Sequence, residues 1–233
     1  MPLKKKRSET NRSLANANAT RKEMRADRRK ALVDATVKAI YQYGFAGITV
    51  ANIASIAGIS AGNVHHYFGG KDALLGEAMR VRLESVRIET VRRMAGATTP
   101  LERLHAIIES NFLPSVFSRE VCVAWLHFAA HSTHDERLRR LSRINARRLK
   151  SNLVADLKVL VGKEKALVTA ETLTAMIDGM WMHCAHEETT VPPIQGILEY
   201  LDNVVTSHAQ HHKETSPESP DDAAYSIKMP SVD

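Results

Sequence analysis

The feature that most constrains the fold is residues 49–75, which read TVANIASIAGISAGNVHHYFGGKDALL. Thr49 and Ser60 favour helix N-caps, because a side-chain oxygen can accept a hydrogen bond from a free amide of the first turn. Gly58 lies where a left-handed residue would end the first helix. The spacing predicts two short helices joined by a tight turn, with a third helix starting at Lys71. This is the helix-turn-helix unit, whose second helix can enter the major groove of DNA.

The second of these helices, residues 61–68, has an unusual outward face. Val64 and Phe68 are four residues apart and are predicted to face inward. Small residues at its start let a nucleic-acid backbone come close, and the amides of a helix N-terminus favour a phosphate. The residues predicted to contact DNA are Thr49 and Lys71 for phosphate, Ser60, Ala61, Asn63 and His66 for base edges, and Gly62, His65 and Tyr67 for either. The alternative is an ordinary solvated helix.

Residues 32–75 resemble the DNA-binding domain of TetR-family repressors. The resemblance is carried by Leu32, Ala35, Ile40, Gly44, Thr49, Val50, Ile53, Ala54, Ala57, Gly58, Ile59, Ser60, Phe68, Lys71, Leu74 and Leu75. The order His66-Tyr67-Phe68 is similar to that of the choline-responsive subgroup, the BetI regulators, whereas many other members carry Tyr at position 65 and His at position 67. The resemblance implies a repressor that binds DNA through this segment.

The N-terminal segment concentrates positive charge. Residues 1–30 contain 11 Lys or Arg and 3 acidic residues, whereas the whole chain has a net charge of +6. Residues 1–20 have the composition of disorder and are predicted to form a mobile basic arm that adds sequence-independent affinity for DNA. The bland alternative is a solvated tail. The first helix is predicted from Arg21 or Arg25 to Tyr43, with Arg28 and Arg29 able to reach phosphate. Its predicted inward stripe comprises Leu32, Thr36, Ala39, Ile40 and Tyr43.

The remainder of the chain shows helical periodicity and no alternating strand pattern. The predicted fold is therefore all-α, with a three-helix head (residues 21–70), a helical body (residues 71–212) and a disordered tail (residues 213–233). No run of residues reaches the roughly 18 apolar positions of a membrane span, and no secretory signal is present, so a cytoplasmic protein is expected. Cys122 and Cys184 fall in apolar helical patterns and are expected to be buried free thiols.

A single head reads few base pairs, and helix-turn-helix proteins usually bind two-fold operators as dimers. The last two helical segments, residues 164–187 and 194–211, are apolar enough to pack with their symmetry mates as a four-helix bundle. The TetR resemblance implies the same homodimer on a palindromic double-stranded operator. The alternative is that these helices only close the core of a monomer.

Aromatic residues in the body indicate a ligand site. Trp125 and Trp181 are the two tryptophans, Phe128 lies one turn from Trp125, and Asp178 lies one turn from Trp181. Aromatic faces beside a carboxylate suit a quaternary ammonium group, because the ring quadrupole attracts the cation. The blander interpretation is that the tryptophans fill core volume. Phe112 is a further candidate within reach.

Three body segments, residues 123–132, 147–154 and 175–183, are similar to BetI regulators. That subgroup represses genes that convert choline to glycine betaine, and it responds to choline or a related compound such as betaine aldehyde. The resemblance implies that Trp125, Trp181 and Phe128 are walls of a cage and that Asp178 is the counter-charge. It implies no cofactor.

Other functions stay open at this point. The effector can be an unrelated small molecule of an efflux or catabolic operon, or the protein can bind DNA without any ligand. Histidines at helical spacing suggest a metal site, either among His127, His131 and His134 or among His183, His186 and Glu187. Catalysis is not expected, because the sequence has no Gly-rich phosphate loop and no nucleophile elbow.

Overall fold

The structure is a computed structural model that describes residues 3–186 and 194–215. Within these ranges it contains nine helices and no strand, which confirms the all-α prediction. The helices are α1 (Leu3–Gly47), α2 (Val50–Ala57), α3 (Ala61–Phe68), α4 (Lys71–Met94), α5 (Pro100–Ser110), α6 (Arg119–His131), α7 (Glu136–Val161), α8 (Lys163–His186) and α9 (Ile194–Thr215). No helix in these ranges is long and apolar enough to cross a membrane.

The N-terminal bounds of the structure differ from the predicted ones. Helix α1 starts at Leu3, so the segment expected to be a disordered arm is helical and the expected boundary at residue 20 falls inside a helix. The physical reason is that residues 3–43 contain no Gly or Pro, which permits a continuous helix despite the low apolar content. The tail prediction also shifts, because α9 extends to Thr215; residues 216–233 lie outside the described residues.

The end of α1 corrects the predicted inward stripe. Leu32, Thr36, Ala39 and Ile40 are buried as expected, but Tyr43 is 54% exposed. Gly44, with φ of 64° and ψ of 158°, interrupts the helical backbone directly after Tyr43. The chain turns at this kink, and the next side chain, Phe45, fills the core in place of Tyr43.

The helix-turn-helix unit, formed by α2 and α3, lies where the capping residue Thr49 and the turn residue Gly58 predict it. The Thr49 hydroxyl accepts from the amide of Asn52 (3.1 Å), and the Asn52 side chain accepts from the amide of Thr49 (3.0 Å), which together make a capping box. Gly58 adopts the left-handed conformation (φ 66°) that ends α2. Ser60 precedes α3 with extended backbone, but its side chain makes no capping hydrogen bond.

Helix α4 belongs to both parts of the molecule. It packs against α1 and α3 in the head and against α5, α6 and α7 in the body. Its 24 residues span about 36 Å at the standard rise. Two ion pairs tie it to α1: Arg29 with Glu77 (2.6 Å) and Arg82 with Asp34 (2.5 Å). A displacement of α4 within the body therefore acts directly on the head.

The body is a helical layer built around buried aliphatic and aromatic side chains. Phe128 on α6, Leu153 and Leu157 on α7 and Leu173 on α8 are fully buried. Arg103 on α5 pairs with the buried Asp156 on α7 (2.5 Å), which joins these two helices electrostatically. In contrast, the outer face of α8 leaves Val168 68% exposed, together with Leu167 and Met182.

We expect Thr49→Ala to lower the free energy of unfolding by about 1 kcal/mol, because it removes the acceptor that caps α2. Thr49→Ser keeps a hydroxyl at this position and should retain most of that stability. Thermal or urea unfolding without DNA measures both variants. Equal losses in the two variants would show that the hydroxyl does not carry the effect.

Candidate nucleic-acid interface and ligand pocket

Helix α3 is anchored on one side and exposed on the other. Val64 is completely buried and Phe68 packs partly buried against the core, as predicted from their spacing. Ala61, Gly62 and His65 are exposed. A Cβ added at Gly62 would meet no atom of the described residues within 4 Å, so the start of α3 is not covered by them. Asn63, His66 and Tyr67 lie on α3, and their side chains are outside the described part of the structure.

The cations predicted to reach phosphate occupy different local environments. Arg28 is exposed, whereas Arg29 donates through Nε to Glu77 (2.8 Å). Lys71 donates through Nζ to the backbone carbonyl of Phe45 (3.2 Å) and lies 5.0 Å from the centre of that ring. Arg29 and Lys71 therefore already make contacts that stabilise the head in the absence of DNA.

The head and body meet at an aromatic junction. The Phe45 ring packs edge-on against His131 on α6, with ring centres 4.0 Å apart, and lies 6.1 Å from His127. Nδ1 of His131 donates to the backbone carbonyl of His127 (2.8 Å). Burial, and secondarily the neighbouring His131, lower the pKa of His127. These histidines pack the junction between α1 and α6.

The predicted metal sites receive no support from the described residues. Among the side chains that the structure describes, no group of three or more His, Cys, Asp and Glu residues is arranged to hold a metal ion. Glu187, one of the suggested ligands, lies outside the described ranges.

Trp125 and Trp181 meet in the body and line one cavity together with Asp178. The two indole rings are 5.8 Å apart at 65°. We name this space the tryptophan cavity; it is lined by Met79, Arg82, Leu83, Val86, Asn111, Val121, Trp125, Asn145, Leu149, Ile177, Asp178 and Trp181. Three of the sequence-predicted ligand residues thus share one site, although they come from two separate helices.

The other two predicted ligand residues lie behind this cavity. Phe128 packs against Trp125 with ring centres 5.2 Å apart and is fully buried. Phe112 contacts Phe117, which in turn packs edge-on against Trp181 (5.7 Å). Neither ring lines the cavity, so Phe112 and Phe128 position its aromatic walls rather than forming them.

The tryptophan cavity is small and has a larger neighbour. Its volume is about 30 Å³, enough for about one water molecule. An adjoining cavity of about 220 Å³ between α4, α5 and α7 shares five lining residues with it: Leu83, Val86, Asn111, Asn145 and Leu149. The two cavities are therefore direct neighbours.

Asp178 has an unusual environment for a surface-accessible carboxylate. Its side chain can be reached by solvent, yet protein atoms surround it on most sides, and this burial raises its pKa. Asp178 therefore lies at the edge of the cavity, where it lines the cavity and still contacts solvent. A cation bound nearby would stabilise its charged form.

Arg82 is the functional candidate that the sequence interpretation missed. It lines the tryptophan cavity, and its Nη2 donates to Asp34 on α1 (2.5 Å). A signal existed in the sequence: the other arginines of α4 have an acidic residue three or four positions away, whereas the residues at those positions around Arg82 are Ala78, Met79, Ser85 and Val86. An arginine without a local partner on a charged helix is a candidate for a contact elsewhere.

The two cysteines are buried free thiols, as expected. Burial and the adjacent Cys184 raise the pKa of Cys122, which disfavours the reactive thiolate.

Comparisons with known proteins match both halves of the chain. Residues 32–78 match the family described as "Bacterial regulatory proteins, tetR family", and residues 100–208 match that described as "BetI-type transcriptional repressor, C-terminal". The HTH-type transcriptional regulator BetI of Burkholderia mallei (strain NCTC 10229) is 43% identical over 163 residues, which cover 70% of this chain and 84% of the relative.

Solved structures share the fold. A transcriptional regulator from Pseudomonas aeruginosa PAO1 has a TM-score of 0.67 at 26% identity, over 80% of this chain and 92% of that one. A transcriptional regulator from Saccharomonospora viridis, solved in complex with choline, has a TM-score of 0.64 at 20% identity, over 78% and 96% of the two chains.

Acidification should loosen the junction at Phe45. Because the pKa of His127 is lowered in the folded protein, the unfolded chain binds this proton more readily, so stability is lost as the pH falls below the unfolded value of about 6.5. We expect the melting temperature to fall less for His127→Gln than for the wild type between about pH 7.5 and 5.5. Replacing the exposed His134 by Gln is the control and should follow the wild type. Parallel curves for all three proteins would contradict the prediction.

Proposed function

This chain belongs to the TetR family of transcriptional regulators, with a body of the BetI type, and we propose that a small quaternary ammonium compound relieves its repression. The proposed effector class is that of choline and betaine aldehyde. The contact between Trp125 and Trp181 beside Asp178 carries this proposal.

The tryptophan cavity has the chemistry that a trimethylammonium group requires. Such a group cannot donate strong hydrogen bonds and is held by aromatic faces, of which tryptophan is the best. The two indoles stand at 65° to each other, so they offer two walls of a cage. Asp178, whose pKa is raised by burial, gains from a cation that compensates its charge. The choline complex of the S. viridis regulator shows that the same fold accommodates such a ligand in that protein.

The size of the cavity supports coupling between binding and movement. A trimethylammonium group is several times larger than the water molecule that about 30 Å³ can hold. Binding must therefore enlarge the space, and four of its lining residues, Met79, Arg82, Leu83 and Val86, belong to α4. A ligand that prefers a displaced α4 shifts the protein toward a state with displaced heads, which weakens DNA binding.

We propose that α3 contacts DNA through its exposed face. Ser60, which precedes the helix, and Ala61, Gly62 and His65 on it are all exposed, which supports this assignment. The proposed base-edge contacts are Ser60, Ala61, Asn63 and His66, with Gly62, His65 and Tyr67 at bases or phosphates, and Arg28, Arg29, Thr49 and Lys71 at phosphates. For Arg29 and Lys71, DNA binding would exchange their present partners for phosphate oxygens.

We also propose that the chain acts as a homodimer through α8 and α9. The exposed apolar residues Val168 and Met182 lie on one side of α8, and Thr172, Ala175 and Gly179 lie between them at helical spacing. Small residues in such a stripe let a second helix approach closely. Pairing through this face would carry two heads, which a palindromic operator requires at a separation of about 34–36 Å.

Choline or betaine aldehyde should release the protein from an inverted repeat upstream of its own gene in a gel-shift titration. Asp178→Asn should raise the effector concentration needed for half-release by about tenfold, equivalent to ~1.4 kcal/mol. In the wild type, effector affinity should rise with pH as Asp178 ionises, and this dependence should disappear in the variant. Glu171→Gln, an exposed carboxylate change on the same helix, is the matched control. Unchanged DNA affinity with both compounds would refute the effector assignment.

Base and phosphate contacts should separate in a second experiment. Asn63→Ala should relax preference at one position of each half-site, at a cost of about 1–3 kcal/mol per lost bidentate contact. Lys71→Ala should weaken binding to all sequences about equally and reduce the slope of affinity against salt by about 1. Because Lys71 also contacts Phe45, the melting temperature of the Lys71→Ala variant must be compared with that of the wild type. Identical behaviour of the two variants across operator sequences would refute this division.

A further inference from the structure

Two buried hydrogen-bond donors at the tryptophan cavity have no acceptor among the residues that the structure describes. These are Nε of Arg82 and the indole Nε1 of Trp181, and both side chains line the cavity. Trp181 is 7% exposed. A buried donor without an acceptor is costly, so such donors normally meet a water molecule or a ligand. Their presence beside the same cavity indicates that something with an acceptor atom belongs there.

The donors define the chemistry of that acceptor. Arginine Nε and indole Nε1 carry hydrogen and can only donate, so any group that pairs with them must supply lone pairs. A trimethylammonium group has none to offer. The lining of the cavity therefore offers two kinds of contact: the indole faces with Asp178 suit a cation, and the two donors suit an oxygen.

Resting on the effector class proposed above, we propose that Arg82 and Trp181 form the oxygen-binding end of the site. The effector accordingly carries an oxygen acceptor at the end opposite its trimethylammonium group. Hydroxyl, aldehyde and carboxylate oxygens all meet this requirement, whereas a saturated alkyl end does not. The two donors thus select among quaternary ammonium compounds that the aromatic cage alone would accept equally.

Arg82 also connects this end of the site to the head. The Arg82 side chain lines the cavity and its Nε has no partner among the described residues, while its Nη2 donates to Asp34 on α1, between the buried Val33 and Ala35. An oxygen bound at Nε would accept a hydrogen bond from the same guanidinium group that pairs with Asp34 and so joins α4 to α1. The effector oxygen is therefore the part of the ligand placed to alter the contact between the body and the head.

Calorimetric titration with choline and with propyltrimethylammonium tests the binding part. The second compound replaces the hydroxyl by a methyl group and keeps the cation. The wild-type protein should bind choline about tenfold more tightly. Trp181→Phe keeps an aromatic face but loses the donor. Because phenylalanine attracts a cation less strongly than tryptophan, both affinities should fall, but that for choline should fall severalfold further, so the ratio decreases. Arg82→Lys retains the positive charge opposite Asp34 but loses Nε. It should also reduce the ratio of the choline affinity to the propyltrimethylammonium affinity, without any change at Trp181.

Asp34→Asn tests the coupling part. It should bind both compounds with the wild-type ratio, but choline should release less of the DNA complex than in the wild type. Glu84, which pairs with Arg87 within α4 and does not line the tryptophan cavity, provides the control variant Glu84→Gln, and its release by choline should match the wild type.

The outcomes separate the two proposals. Equal affinities for the two compounds in the wild type, or an unchanged ratio in both Trp181→Phe and Arg82→Lys, would overturn the oxygen-binding assignment while leaving the effector class intact. Wild-type release in Asp34→Asn would overturn the coupling through Arg82. Absence of binding by either compound to the wild type would overturn the effector class and this inference together.

Discussion

The structure depends on the burial of helix α4 against both the head and the body. On α4, Leu74, Leu75, Ala78 and Met79 are fully buried or nearly so, and they join the packing of the head to that of the body. Close-packed interiors transmit displacement because they have little free volume to absorb it. Met79 belongs both to this core and to the lining of the tryptophan cavity. In the proposed mechanism, DNA therefore acts on the N-terminal end of α4 and the effector on its middle.

Polar contacts between α1 and α4 can be exchanged more readily than this apolar packing. Glu77 accepts from both Arg29 and Arg80; burial opposes ionisation, but these hydrogen bonds lower its pKa overall. Arg82 and Asp34 form the second tie, one turn further along. Arg29 is also a proposed phosphate ligand and Arg82 lines the tryptophan cavity, so each tie includes a residue with a second use. In the proposed mechanism, DNA and the effector therefore both act on the contact between α1 and α4.

Local signals made much of the head predictable from sequence. Thr49, Gly58 and Val64 behave as their residue types and spacing indicate, because caps, left-handed turns and helical faces are decided within a few residues. Tyr43 was misplaced because the backbone changes direction at Gly44, which periodicity alone does not reveal. The N-terminal segment is described as part of α1 although its composition is typical of disorder, because such a composition indicates the lack of a core, whereas the absence of Gly and Pro permits a helix.

The candidate ligand site was predictable only in part. Trp125, Trp181 and Asp178 stood out by residue type, and their common cavity depends on packing between α6 and α8, which are distant in sequence. Phe112 and Phe128 were chosen by the same criterion but lie behind the cavity wall, because aromatic type does not distinguish a lining ring from a supporting one. Arg82 was missed because its partner, Asp34, is 48 positions away.

The narrowness of the tryptophan cavity has a kinetic consequence. A space that admits about one water molecule makes association with any larger compound a gated process, in which the interior must first open. At high effector concentration the observed association rate then approaches a plateau set by this opening, instead of increasing linearly with concentration. The time needed to derepress a promoter would accordingly reflect an intrinsic fluctuation of the helices, and extra effector would shorten the delay only up to that limit.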